Sequence, residues 1–347
     1  MHRYLAFVCS AALFFSSSSL VFAQDKESDE RSEEEIEAAT RLQVFLDRAN
    51  FGPGKIDGYY GDFTHKALDL YRQSRGEKSA PAPKAKGRDV PDIEGLDLSS
   101  ADPVFITYTV TEADLEQVGD LPDEVTAKAA LKWLPYSDAA EAVAEKFHCD
   151  GKFFARLNPD KVKNLQAGDE VKVPNVEPFD LPALKQKKEE KKKGNTSDKK
   201  KKSDDSSSED EAAEVTVKVR SDTNMLELYE DEKLTAAYPV TIGARDNESP
   251  AGDWKVTGVA LLPTFRHDES MLKRGERSDD FHMLPPGPNN PVGVTWIALD
   301  KDGIGLHGTN DPDSIGRASS HGCVRLANWD VVRLLPKIKA GVAVSIK

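Results

Sequence analysis

Two imidazoles and a thiol crowd the last third of this 347-residue chain. Ile304-Gly305-Leu306-His307-Gly308-Thr309 is followed by Ser314-Ile315-Gly316, then by Ser320-His321-Gly322-Cys323-Val324-Arg325-Leu326. A thiol at its free pKa of ~8.5 is only partly ionised at neutral pH. A neighbouring histidine that takes its proton turns it into a nucleophile. Glycine beside the cysteine lets backbone N–H groups approach a substrate carbonyl as an oxyanion hole, where removing one donor costs ~2.7–4 kcal/mol in comparable sites. Either histidine could be the base. His307 ends an expected strand, and the loop after it can fold back. His321 precedes Cys323 by two residues and faces the same way in an extended segment, so spacing leaves both open.

Other chemistries fit less well. A zinc site lacks a fourth ligand at metal-like spacing. A papain-like protease places its cysteine before its histidine, the reverse of the order here. His267 and His282 read as solvated loop residues, and Cys149 as a core thiol. Cys149 could pair with Cys323 in an exported protein, but the surroundings of Cys323 favour a free thiol.

The elements that must hold these residues are mostly strands. Val215, Val217 and Val219 alternate with Thr216 and Lys218, a turn at 221–224 follows, and Met225 to Tyr229 resumes the pattern. Leu234 to Ile242, Trp254 to Val256, Trp296 to Leu299, Ile304 to His307 and Val342 to Ile346 add further short strands. Repeated short strands with turn signals predict a sandwich or barrel. One helix follows the cysteine, with Asn328 as its cap and Pro336 as its stop. Residues 263–283 are long, polar and irregular, and are expected to form a lid over the cleft.

The rest of the chain divides by composition. Residues 1–23 have a short polar start, an apolar stretch and Ala23 at a cleavage position, and read as a signal peptide. Ile36, Ala39, Leu42, Phe45 and Leu46 fall on one helical face. Thr64 is expected to cap a second helix carrying Ala67, Leu68 and Tyr71. Residues 77–103 read as a linker. A strand at Phe105 to Val110, a helix starting at Ser137, a second helix with Phe153, Phe154 and Leu157, and a closing strand near Val171 occupy 104–176. Residues 180–213 are charge blocks, lysine-rich then acidic, expected to stay solvated as a disordered linker.

Three family resemblances follow. Residues 36–76 resemble a peptidoglycan-binding domain through Leu42-Gln43, Gly54-x-Ile56-Asp57-Gly58-x-x-Gly61, Thr64 and Ala67-Leu68. Residues 104–176 resemble a LysM domain through Tyr108-Thr109-Val110, Asn158-Pro159 and Leu165-x-x-Gly168-Asp169-x-Val171-x-Val173-Pro174. They depart from it at Ala113-Asp114-Leu115 and by an insertion before the first helix. Residues 214–347 resemble the L,D-transpeptidase (YkuD-like) catalytic domain through His307-Gly308-Thr309, Ser314-Ile315-Gly316 and Ser320-His321-Gly322-Cys323-x-Arg325-Leu326. Ser249-Pro250-Ala251-Gly252 and Leu284 to Gly293 support that likeness.

The expected fold class is therefore multidomain: a small all-α N-terminal domain, an α+β LysM-like domain and a mainly-β, sandwich- or barrel-like catalytic domain. The last resemblance implies Cys323 as nucleophile and His307 as proton donor and acceptor. It implies Ser320, His321 and Gly322 as shapers of the site and oxyanion hole, and Arg325 as a holder of substrate or of the site loop. It further implies 3→3 cross-linking of peptidoglycan stem peptides through a thioester, without metal or cofactor. The same thioester resolved by water would make an L,D-carboxypeptidase or endopeptidase; a non-catalytic wall-binding protein is the other alternative. The two N-terminal domains would hold the enzyme on glycan through a flexible tether.

A net charge of -13 argues against nonspecific nucleic-acid binding. After removal of the leader no stretch is apolar enough to span a bilayer, so no stable membrane insertion is expected. The expected location is outside the cytoplasm, in a periplasm or cell wall.

Overall fold

A computed structural model describes residues 31–77, 89–197, 213–243, 251–317 and 322–347. The leader and two expected site residues, Ser320 and His321, lie outside the described residues, as do 78–88 of the first linker and 198–212.

The first two helices among the described residues are α1 (Glu33–Arg48) and α2 (Asp62–Ser74). Between them Gln43 organises the glycine-rich turn. Its Oε1 accepts from the N–H groups of Asp57 at 3.2 Å and Gly58 at 2.9 Å, and its Nε2 donates to Asp57 Oδ1 at 2.9 Å and the Tyr59 carbonyl at 3.1 Å. Gly58 takes a φ of 71°, a left-handed conformation glycine adopts without a Cβ penalty. Gly61, not Thr64, stands at the start of α2; Thr64 is buried inside it, packed beside Gln43. The expected cap fails because Thr64 is turned into the core between the helices.

Next come β1 (Phe105–Thr109), α3 (Glu112–Leu115), α4 (Val125–Ala130), α5 (Ala139–Lys146), α6 (Gly151–Leu157) and β2 (Glu170–Pro174). The two strands pair antiparallel, with Phe105 opposite Pro174. Asn158 ties the last helix to β2, donating to the Phe154 and Lys172 carbonyls at 3.0 and 2.9 Å and accepting from the Lys172 N–H at 2.8 Å. Asp138, rather than Ser137, caps α5 by accepting from Glu141 N–H at 2.8 Å.

The lysine-rich tract departs from expectation. Residues Leu181–Ser197 form α7, because its first turns carry an anchor: Leu181 and Leu184 are buried with Phe179, Leu261 and Leu262 in one apolar cluster. Lys188 adds a hydrogen bond of 2.6 Å to the Leu262 carbonyl.

The C-terminal part comprises β3 (Val215–Arg220), β4 (Met225–Glu230), β5 (Lys233–Pro239), β6 (Thr241–Ile242), β7 (Gly252–Leu261), β8 (Phe265–His267), α8 (Glu269–Arg274), β9 (His282–Leu284), β10 (Thr295–Leu299), β11 (Gly305–His307), β12 (Val324–Arg325), α9 (Asn328–Leu334) and β13 (Ala343–Ile346). Nine strands form one mixed sheet in the order β5-β4-β3-β13-β7-β10-β11-β12-β6. The first part of β7 pairs with β13 and the second part with β10, so the sheet changes partners along that strand and wraps one core. Val217, Leu226, Ile297, Leu306, Val324 and Val344 fill it, with Leu334 of α9 against them. Residues 263–283, expected to be irregular, contain the β8–β9 hairpin with α8 at its tip, and His267 faces His282 across it.

The expected tethered arrangement is also corrected. Residues Glu33–Lys347 form one compact unit. Ala237 of β5 donates to the Asn50 carbonyl at 2.9 Å and accepts from Gly52 N–H at 2.7 Å. In the middle segment Leu134 donates to the Pro286 carbonyl at 2.9 Å, and the insertion's α4 packs on β9. A buried ionic junction ties all three parts. Asp47 of α1 accepts two bonds from Arg333 of α9, at 2.8 and 3.1 Å, and faces His148 Nδ1 at 2.9 Å. His148 in turn stacks on Trp329, centroids 5.1 Å apart. Burial opposes ionisation of Asp47, but Arg333 and His148 outweigh it and hold the carboxyl well below the usual range.

Removing one partner of such a junction leaves the other charge buried and uncompensated, which costs about 3–5 kcal/mol. Asp47→Ala is therefore expected to lower the melting temperature sharply, and calorimetry of the wild type to give one cooperative transition for all three parts. Two separable transitions, with only one moved by Asp47→Ala, would show that the parts fold independently. Because the Asp47 carboxyl titrates lower in the folded than in the unfolded chain, its contribution is present above the ordinary carboxylate pKa and is lost as pH falls toward the folded value.

Candidate active site

The alternation of side chains across three neighbouring strands creates the site. Ile297 of β10 pairs with Leu306 of β11, Leu306 with Val324 of β12, and Val324 with Ile242 of β6. Ile297, Leu306 and Val324 are fully buried in the core. Their sequence neighbours must point to the other face. There Trp296 pairs with His307, His307 with Arg325, and Arg325 with Thr241. Cys323 lies in the bend immediately before β12, next to Val324. Of the expected site residues, the structure pairs His307 with Arg325 across β11 and β12 and places Gly322 and Cys323 in the turn that leads into β12. Cys323 and Cys149 are both free thiols, Cys149 being buried in the N-terminal core.

His307 is buried, and its Nδ1 stands 2.6 Å from the Gly308 carbonyl oxygen. A carbonyl can only accept, so in the neutral ring Nδ1 carries the proton and Nε2 is the bare nitrogen. Burial drives the imidazole pKa down to about 4; the Gly308 carbonyl opposes this and Arg325 adds to it. The indole of Trp296 stacks on the ring, centroids 5.4 Å apart and planes 13° from parallel. Gly305 makes room for that indole, since a Cβ there would lie 2.8 Å from it.

The Cys323 sulfur is half-buried and lies 3.4 Å from the Gly303 carbonyl. Burial pushes its pKa up, while the backbone at Gly305 and the Arg325 charge draw it back. Gly322 before it has a φ of 91°, a left-handed conformation in which other residues are strained, and so lets the chain turn sharply into β12. Arg325 donates to Ser314 Oγ at 3.1 Å. Thr241 grips the same loop, donating to the Ser314 carbonyl at 3.0 Å and accepting from Gly316 N–H at 2.7 Å. Arg325 and Thr241 together pin the loop that follows His307.

Sequence reasoning missed Trp296, Thr241 and Gly305 as parts of this arrangement. A glycine inside a strand signals a close approach, and Gly305 two residues before His307 was such a signal. Nothing local marked Thr241, whose role depends on pairing β6 with β12.

This part of the sheet therefore carries a half-buried thiol, a buried imidazole whose Nδ1 faces a carbonyl, and a loop held by Arg325. Comparison with known proteins places it in a family. Residues 214–346 match the L,D-transpeptidase catalytic domain, YkuD. YqjB of Bacillus subtilis, assigned by name to the L,D-transpeptidases, is 34% identical over 135 residues, which cover 38% of this chain and 69% of that protein. YkuD of Bacillus licheniformis, similarly assigned, is 31% identical over 130 residues; the match spans 38% of this chain and 64% of that protein's length. YkuD of Bacillus subtilis aligns at 23% identity over 210 residues, 60% of this chain and 93% of that one. Among solved structures, an L,D-transpeptidase from Mycobacterium smegmatis is similar over 39% of this chain and 59% of its own, at 17% identity and a TM-score of 0.32. This chain belongs to the L,D-transpeptidase family.

With the imidazole near pKa 4 and the thiol raised above its ordinary range, the resting pair at neutral pH is uncharged. Alkylation of Cys323 by iodoacetamide is expected to climb with pH and to reach half its maximum above the ordinary thiol value of ~8.5. A rate that is already maximal and flat between pH 5 and 8 would instead mean a preformed thiolate–imidazolium pair.

Proposed function

We propose that this protein is a cysteine L,D-transpeptidase that forms 3→3 cross-links between peptidoglycan stem peptides through a thioester on Cys323. The observation that supports the reading is the pairing of His307 with Arg325 across β11 and β12, the strand that Cys323 leads into, with Nδ1 of His307 facing the Gly308 carbonyl and Nε2 left to accept.

In the proposed reaction Nε2 of His307 takes the Cys323 proton as sulfur attacks the carbonyl of the diamino-acid residue in a tetrapeptide stem. Backbone N–H groups near Gly322 and Cys323 receive the negative oxygen. The C–N bond to the terminal D-Ala breaks, and the departing amine takes the proton back from His307. The side-chain amine of a second stem then attacks the thioester, giving its proton to His307. The C–S bond breaks, and the thiolate is reprotonated. The low basicity of the buried imidazole makes it a ready acid toward the departing amine once protonated, and makes removal of the thiol proton the more demanding transfer. Arg325 lowers the cost of the thiolate by its charge and steadies the loop wall through Ser314. Ser320 and His321 are proposed to shape the approach to the thiol.

The peptidoglycan-binding-like and LysM-like segments are proposed to contact the same polymer. Since they pack directly on the catalytic part, they would present substrate at a fixed position rather than raise its concentration by a tether. An address outside the cytoplasm, reached through the leader at 1–23, belongs to the same reading; no helix among the described residues is long and apolar enough to cross a membrane.

Mass spectrometry of the mature protein with a disaccharide-tetrapeptide is expected to show a Cys323 acyl adduct, loss of D-Ala and a cross-linked dimer. Cys323→Ala should give none of these, and His307→Gln should lower turnover by about 10²–10⁴-fold. Trimmed monomer without dimer would replace the transpeptidase by the carboxypeptidase; no adduct with any stem would leave a wall-binding protein.

A further inference from the structure

The side chain of Asn328, expected to cap α9, does other work. Ala327 takes the cap position, and Asn328, fully buried, points its carboxamide away from the helix. Its Oδ1 accepts from Val294 N–H at 3.1 Å, and its Nδ2 donates to Glu145 Oε1 at 2.8 Å, with the Pro288 carbonyl at 3.4 Å. A Cβ built on Gly293 would lie 2.1 Å from that Oδ1, and one on Gly308 2.2 Å from it. The amide is therefore wedged between two backbone segments that only glycine leaves room for. One of them, Gly308, carries the carbonyl that fixes the His307 tautomer, and its N–H donates to the Thr295 carbonyl at 3.1 Å.

The direction of the wedge is set by its partners. Val294 offers a donor, so Oδ1 must face it and Nδ2 must face the opposite way. There it needs an acceptor in a site without room for error, because a buried amide proton without a partner is costly. Glu145 of α5 is that acceptor, and it receives a second hydrogen bond from Tyr136. Both Glu145 and Tyr136 lie outside the 214–346 segment that defines the family.

We propose that Glu145 is a positioning residue for His307: by accepting from Asn328 it keeps the Gly308 carbonyl against Nδ1 and so keeps Nε2 the bare nitrogen. The proposal rests on His307 being the base, as read above. It makes the middle segment a working part of the active site, since the last member of the chain Glu145–Asn328–Gly308–His307 belongs to catalysis and the first does not belong to the catalytic domain.

The test uses the mature full chain labelled with ¹⁵N-histidine. In wild type the His307 nitrogens should report Nδ1 protonated at neutral pH. In Glu145→Leu the signature should move toward a mixture of tautomers, and Cys323 alkylation at pH 7 should slow by about 10–100-fold, the scale carried by the outer partners of metal-bound histidines. Glu145→Gln, which keeps a carbonyl acceptor, should restore both. If Glu145→Leu does not fold, Glu145→Ser, with room for water, is read in the same way. An unchanged tautomer and alkylation rate in the folded variant, or a Glu145→Gln that behaves like Glu145→Leu, overturns the proposal. Neither reading needs peptidoglycan. If the signatures shift as expected while wild type cross-links no stem, the positioning role stands and the transpeptidase reading falls.

Discussion

The row of apolar side chains Ile297, Leu306, Val324 and Ile242 fixes everything on the other side of the sheet. Strand side chains alternate, and a register slip of one residue would exchange the two faces. Burial of Leu306 and Val324 therefore locks His307 and Arg325 on the opposite face together. The two strands involved are short, β11 with three residues and β12 with two. They hold their register through the core beneath them rather than through long ladders. Trp296 and Gly305 act within this frame, one stacking on the imidazole and the other leaving space for the indole. The electrostatics follow from the same burial. An imidazole with its Nδ1 proton given to a carbonyl and no carboxylate partner in that position stays neutral, and burial likewise favours the neutral form of the Cys323 thiol.

Around that sheet the two N-terminal segments are not accessories hung on a string. Asp47, His148 and Arg333 come one from each part of the molecule and meet where none is exposed. A buried ion pair is weak evidence for stability by itself, because desolvation opposes it. It is strong evidence for specific placement, since a misdocked arrangement would leave a buried charge alone. The apolar contacts around it share the labour: Met225 and Ala237 of the catalytic sheet belong to the same core as Leu42, Phe45 and Phe51. The contact between Glu145 and Asn328 is a second crossing between the parts, closer to the imidazole.

Much of this was legible in the sequence where chemistry is local. The His307 to Leu326 segment carries its spacing, the Val215 to Val219 alternation gives its strand, and Gln43 with the Gly54 to Gly58 turn forms one hydrogen-bonded unit. The order of strand, helices and strand in 104–176 was readable for the same reason. What escaped was the non-local part. Thr64 and Asn328 look like caps, but packing turned both side chains elsewhere. The lysine tract looked fully solvated because its composition is dominated by charge, while two leucines at its start were enough to seat a helix. The docking of the three parts depends on Asp47 meeting Arg333 across most of the chain's length, which no window of sequence displays. Departures from family patterns were better guides than the patterns: the insertion before α5 is where the middle segment grips Pro286 and the β9 strand.

Among the described residues the sheet ends at β5 on one side and β6 on the other. An unpaired strand border is a template for another chain, and exposed borders invite aggregation. On β5 that hazard is answered from the far end of the sequence: the stretch from Asn50 to Gly52 runs alongside Ala237 as a parallel bridge and takes up its N–H and C=O. A segment that resembles a polymer-binding domain thus doubles as a selvedge for the catalytic sheet, stopping it from being extended by a neighbour. That is a solubility device, and it would be lost to any fragment trimmed to residues 214–346.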